Sequence, residues 1–126
     1  MNPDVAVRAA LAAQVAAWNR KDLDGFMQTY WNDPGLTFYS GDRVTKGWRE
    51  TKDRYRKRYL AEGKEMGRLS FDIHAIDACG PDITSVKAAW KLDLAAGPAS
   101  GLFTLLLRKL PDGWKIVHDH TSAKTP

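Results

Sequence analysis

Apolar residues near the start of the chain recur with a helical period. Val7, Leu11, Val15 and Trp18 fall at i, i+4, i+8 and i+11 within an alanine-rich segment, which predicts an amphipathic helix. Asn2-Pro3 offers a cap followed by proline at the first helical position. Asn19-Arg20-Lys21-Asp22 breaks the period, and Asp22 is a suitable cap for a short second helix with Leu23, Phe26, Met27 and Tyr30 on one side. Asn32-Asp33-Pro34-Gly35 is a turn. Leu36-Thr37-Phe38-Tyr39-Ser40 reads as a strand, and Gly41-Asp42 turns it into Arg43-Val44-Thr45-Lys46. A third helix is predicted from Trp48 to Leu60, its inward face formed by Trp48, the stem of Lys52, Tyr55 and Tyr59.

Beyond Gly63 and Gly67 the period becomes two. Leu69, Phe71 and Ile73 alternate with Ser70, Asp72 and His74 up to the turn at Cys79-Gly80-Pro81-Asp82. Val86, Ala88, Trp90, Leu92 and Leu94 alternate with smaller or charged residues, Gly97-Pro98 turns the chain, and Leu102–Leu110 forms a third long strand. Pro111-Asp112-Gly113 leads into a closing strand, Trp114–Thr121. Helices gathered on one side of a curled antiparallel sheet give an α+β two-layer architecture.

Length and composition narrow the class. The 126 residues fit a single domain, 1–126, and the apolar (44%) and charged (27%) fractions are those of an ordinary globular chain, which excludes disorder by composition. No apolar run approaches the roughly 20 residues that cross a bilayer. Met1–Val5 shows no basic region leading into an apolar one, so no secretory signal is expected in the chain as given; a removed signal with an added Met would look the same. The one cysteine, Cys79, excludes an internal disulfide and any cysteine-rich metal site. Residues 43–68 carry ten basic and four acidic side chains, +6 of an overall +4, so the remainder is −2. A footprint for an acidic partner and a solvated helix face both produce that pattern. No nucleic-acid motif accompanies it, and neither nucleic acid nor membrane is expected as a partner.

The closing strand holds the candidate chemistry. Strict alternation puts Trp114, Ile116, His118 and His120 on one face, and Trp114 and Ile116 belong in a core. His118 is therefore expected to face the interior as a proton-transfer group, with His120 nearer the rim as a candidate ligand contact and Asp119 turned to the opposite face. A neutral His118 that hydrogen-bonds at the pocket wall is the alternative. A His–Asp pair side by side would need a bulge. Tyr30 and Tyr55 are candidate phenolic donors, with Tyr59 assigned to packing, and Trp31, Trp48 and Trp90 are candidate aromatic walls for a small apolar ligand. No third metal ligand is spaced to join His118 and His120, and there is neither a serine elbow nor a phosphate-binding glycine loop.

Gln14–Asn19, Gly25-Phe26-Met27, Tyr30-Trp31, Gly47-Trp48, Arg54-Tyr55, Arg58-Tyr59, Met66–Phe71, Gly113-Trp114 and His118–Ser122 together resemble the nuclear transport factor 2 (NTF2)-like superfamily, more narrowly the SnoaL-like or DUF4440-type bacterial proteins, including those labelled SgcJ/EcaC-like. The resemblance implies an NTF2-like cone, a curved antiparallel sheet wrapped around three N-terminal helices. It also implies a pocket inside the cone, chemistry without a cofactor, and commonly a homodimer through the outer sheet face. Ketosteroid isomerase shares the cone and pairs a carboxylate base with an oxyanion hole of tyrosine and protonated carboxylic acid. In this chain Asp72 and Asp93 fall opposite the apolar faces of their strands, so neither supplies that base. Histidine with tyrosines, as in dehydratases of the superfamily, is the closer match by residue type. Two functions follow: a small-molecule-binding domain with isomerase- or dehydratase-type proton transfer, or a non-catalytic dimeric module for ligand binding or protein association.

Overall fold

The structure, a computed structural model, describes residues 3–124; the Asn2 cap lies outside them. Helix α1 spans Pro3–Asn19 and α2 Leu23–Met27; strands β1 (Thr37–Ser40) and β2 (Arg43–Lys46) precede α3 (Trp48–Tyr59). Four long strands follow: β3 (Arg68–Ala78), β4 (Ile83–Leu94), β5 (Gly97–Leu110) and β6 (Gly113–Thr121). They make a six-stranded sheet in the order β2-β1-β6-β5-β4-β3. The expected architecture is present with one difference: the sheet is mixed, because β1 runs parallel to β6 and brings the short hairpin into the sheet.

The helices dock by a few directed contacts. Val7, Leu11, Gln14 and Trp18 form the buried stripe of α1, so glutamine takes the third place expected for the half-buried Val15. Trp18 Nε1 donates to the Met66 carbonyl at 2.9 Å. The Asn19 side chain donates to the Leu69 carbonyl and accepts from the Leu69 N–H, at 2.9 and 2.7 Å, pinning the end of α1 to the start of β3. Asp22 caps α2 as expected, accepting from the Gly25 N–H at 2.9 Å. Gly67 lets the chain enter β3: its φ is +70°, and a Cβ there would lie 2.6 Å from the Asp93 carbonyl oxygen.

Two β-bulges bend the sheet. In β3 the pairing with β4 shifts between Ile73 and Ala75, leaving His74 as the extra residue. In β6 the pairing with β5 passes from Leu107–Ile116 to Leu106–His118, leaving Val117 as the extra residue. A bulge bends its strand and reverses the facing of every residue beyond it. The concave face packs on the helices, where one apolar cluster joins Val7, Leu11 and Met27 to Val86, Leu105, Leu107 and Ile116.

Candidate active-site cavity

The bulge at Val117 overturns the expected facing of the residues beyond it, His118 to Thr121. Ile116 remains inward and fully buried, but Asp119 follows it inward and is 5% exposed. His118 and His120 point to the other face. There His118 Nδ1 lies 2.6 Å from Thr37 Oγ1, its ring meets Tyr39 edge-on at 4.9 Å, and His120 is exposed. Strict alternation exchanges histidine and aspartate because β6 contains one residue more than its partner strand. Burial, and then the nearby His120 charge, lower the His118 pKa from the ordinary histidine value.

A cavity of about 320 Å³ lies between the helices and the concave face of the sheet. Its wall includes Gln14 and Trp18 from α1, Tyr55 from α3, and Trp90, Phe103 and Asp119 from the sheet. Tyr30 also borders it, while Trp31, Trp48, His118 and His120 do not. Trp31 instead lies under the Arg108 guanidinium, and Trp48 donates its indole N–H to the Met27 carbonyl at 2.9 Å. Outside the cavity, Trp48 thus ties α3 to α2 and Trp31 meets β5.

Tyr30 is set beside β6 by a short parallel bridge to Ile116, in which Trp31 N–H donates to the Ile116 carbonyl and Ile116 N–H to the Thr29 carbonyl. Its hydroxyl donates to Asp119 Oδ2 at 2.7 Å and lies 3.1 Å from the Tyr55 hydroxyl. A phenol has one proton, so with Asp119 ionised Tyr55 donates to Tyr30 and Tyr30 to Asp119. The Tyr55 ring is held edge-on by Phe26 at 5.2 Å and Phe38 at 5.6 Å. Asp119 Oδ1 has no hydrogen-bond partner among the described residues. Gln14 is 2% exposed, and its amide likewise has none among them.

Burial pushes the Asp119 carboxyl up to about 7, against the opposing effect of the Tyr30 hydrogen bond. The phenols of Tyr30 and Tyr55 are pushed well above their ordinary value, chiefly by burial and then by Asp119, and stay protonated at neutral pH. The cavity thus holds one carboxyl that exchanges a proton near neutrality, a directed chain of phenols behind it, and a free amide. No cluster of three metal-ligating side chains occurs among the described residues, and none of the helices is long and apolar enough to cross a membrane.

Comparison with known proteins fixes the lineage. The profile of the SnoaL-like domain matches residues 7–126. The chain belongs to the SnoaL-like domain family. Within the wider NTF2-like superfamily, an NTF-2 like protein of unknown function from Shewanella oneidensis is 36% identical, with a TM-score of 0.91 over 96% of this chain and 99% of that one. A ketosteroid isomerase-like protein from Erwinia carotovora is 24% identical, with a TM-score of 0.76 over 97% and 96%. An NTF2-like superfamily protein from Salmonella enterica shares 16% identity and a TM-score of 0.73 over 95% and 89%. The last two show the fold alone. No match was found among curated proteins.

The SnoaL-like domain should reveal Asp119 in its stability. Folding raises this carboxyl from about 4 to about 7, so the native state binds more protons than the unfolded chain between those values. Stability therefore falls as pH rises from about 4 to about 7 and is level above, by at most about 4 kcal/mol. Urea unfolding of Asp119→Asn should lack that decline relative to wild type. Parallel pH profiles for the two proteins would contradict the assignment.

Proposed function

We propose that this domain binds a small, largely apolar molecule in the cavity and that Asp119 moves a proton on it, without a cofactor. The observation that carries the reading is a buried carboxyl in the cavity wall, with one oxygen anchored by Tyr30, the other unpartnered, and a pKa near neutrality. A general acid–base group is most effective when its pKa lies near the working pH. A carboxyl buried without full compensation lowers stability, and such groups concentrate at functional sites. Proton abstraction beside a carbonyl with return elsewhere, or loss of water, are the reaction types this group serves. The Gln14 amide supplies N–H donors from the same wall for a developing negative charge. Tyr30 and Tyr55 are committed to each other and to Asp119, so they position the carboxyl rather than meet the ligand. His118, the group the alternating pattern favoured, lies outside the cavity and has no part in this reading.

The test uses 2-naphthol, an apolar bicyclic ring with one hydroxyl, titrated calorimetrically from pH 6 to 8. Its affinity should change severalfold across a midpoint near 7, as expected when a hydrogen bond to a charged group is made or lost at about 1.5–3 kcal/mol. Asp119→Asn should flatten that profile and His118→Ala should leave it intact. A profile that is flat in the wild type, or abolished by His118→Ala, would refute the reading.

The outer sheet face supports a second, compatible reading: a homodimer. Leu102 is 59% exposed and Leu106 38% exposed, and they share the outward side of β5 beside the outward-facing His118 of β6. Large apolar side chains grouped on one exposed face mark an interface. A second copy of the chain is the occupant that the superfamily resemblance suggests. Sedimentation equilibrium should give a dimer at micromolar concentration, and a Leu102→Glu, Leu106→Glu double variant a folded monomer. A monomeric wild type at the highest soluble concentration would rule the dimer out.

A further inference from the structure

The cavity opens beside positive charge that no carboxylate answers. Gly41, Arg58, Ser122 and Ala123 are the exposed members of its lining and mark the opening. Arg54 and Arg58 stand one turn apart on α3, and both border the cavity. Arg54 is half-buried, with its guanidinium 5.2 Å from the Phe38 ring centre and Nη1 donating to Thr45 Oγ1 at 3.2 Å. Arg58 Nε donates to the Tyr59 hydroxyl at 3.2 Å. Among the described residues neither arginine forms an ion pair. Two other basic residues of the same helix do: Lys52 pairs with Asp24, and Arg56 with Asp53, while the unpaired Arg49 and Lys57 lie outside the cavity lining.

Burial, followed by the Arg43 charge and then Arg58, pulls Arg54 below the ordinary arginine value. Like charges held together in a partly dry place cost stability, and a bound anion offsets that cost. Planar guanidinium groups match a carboxylate, each able to offer two parallel N–H donors. Deeper in the cavity the polarity differs. Asp119 repels a second carboxylate when ionised, while its Oδ1 and the unpartnered Gln14 amide accept and donate hydrogen bonds to a neutral group. The aromatic and aliphatic wall between them accepts an apolar body. At about 320 Å³ the space lies at the small end for ligand pockets.

We propose that the ligand of this cavity is a small amphipathic carboxylate, its anion held by Arg54 and Arg58 at the opening and a neutral polar group turned inward to Gln14 and Asp119. This deepens the binding role given to the cavity above and rests on it. Proton transfer then takes place at the end of the molecule remote from its carboxylate. The arginines orient the substrate, and the apolar wall keeps water from the reacting end.

The test compares 2-naphthoate with 2-naphthalenemethanol, a neutral probe of similar size, by calorimetry at neutral pH and low salt. The carboxylate should bind about tenfold tighter or more, the return expected for hydrogen bonds to charged groups. Arg54→Gln should bring the two affinities to within about twofold while leaving the alcohol bound, since only the charged contact is lost. Arg58→Gln, at an exposed position where folding is not at risk, should reduce the preference severalfold. Arg56→Gln removes the same charge from an arginine outside the cavity lining and should leave the preference unchanged. Equal binding of both probes by the wild type would overturn the carboxylate assignment and leave the binding cavity standing. A loss of preference in Arg56→Gln as large as in Arg54→Gln would also overturn it, by showing a general effect of charge. Binding of neither probe at millimolar concentration would overturn both proposals.

Discussion

The hydrogen bond from Tyr30 to Asp119 is the contact around which the interior is organised, and it exists because β6 carries one residue more than its partner strand requires. Without Val117 as a bulge, Asp119 would face outward and His118 would take its place in the wall. With it, the carboxyl meets a hydroxyl that the Tyr30–Ile116 bridge has already set beside β6. The same bulge contributes to the curl of the sheet, so the shape of the cavity and the identity of its acid have a common origin.

This arrangement is costly to the fold. A buried carboxyl with a pKa near 7 is partly charged at neutral pH, and the Tyr30 hydrogen bond does not restore the solvation it has lost. Set against a net stability of about 5–15 kcal/mol for an ordinary domain, a penalty of at most about 4 kcal/mol above neutrality is large. Apolar packing of Asp119 and Gln14 would have been the more stable solution. Together with the unpaired arginines at the opening, these groups form a graded interior, positive at the mouth, apolar in the middle and proton-exchanging at the wall. That gradient is what a ligand with distinct ends would complement.

Much of this was legible in the residues. The three helices, the hairpin and the four long strands follow from period and turn chemistry, and Asp22, Gly41 and Gly67 do the work their types suggest. The parallel junction of β1 with β6 was not legible, because no local pattern records which distant strand a hairpin will join. Only part of the site follows from the pattern. Helical and strand phase put Tyr30, Tyr55 and Trp90 on the wall, but the same helical phase also points Trp48 inward, where it is spent on the Met27 carbonyl, and only aromatic character suggests Trp31. Asp119 was excluded by an alternation that fails at Ile116-Val117, where two β-branched apolar residues in succession are the visible sign of a break in phase. Gln14 is concealed because Val15 is the more apolar residue, although a stripe of 7, 11, 14 and 18 follows the helix equally well. Arg54 and Arg58 are hidden in the sequence within a general surplus of charge, and only their place on the cavity lining singles them out.

The central claim is that Asp119, and not His118, is the titrating group of the cavity. Carbon-13 NMR of protein labelled at the aspartate carboxyl carbons, followed from pH 3 to 9 and assigned with Asp119→Asn, tests it most directly. The account predicts one aspartate titrating near 7, well apart from the solvent-exposed ones, and absent from the variant. If every aspartate instead titrates near 4, Asp119 is solvated or fully compensated and the proton-transfer site described here does not exist.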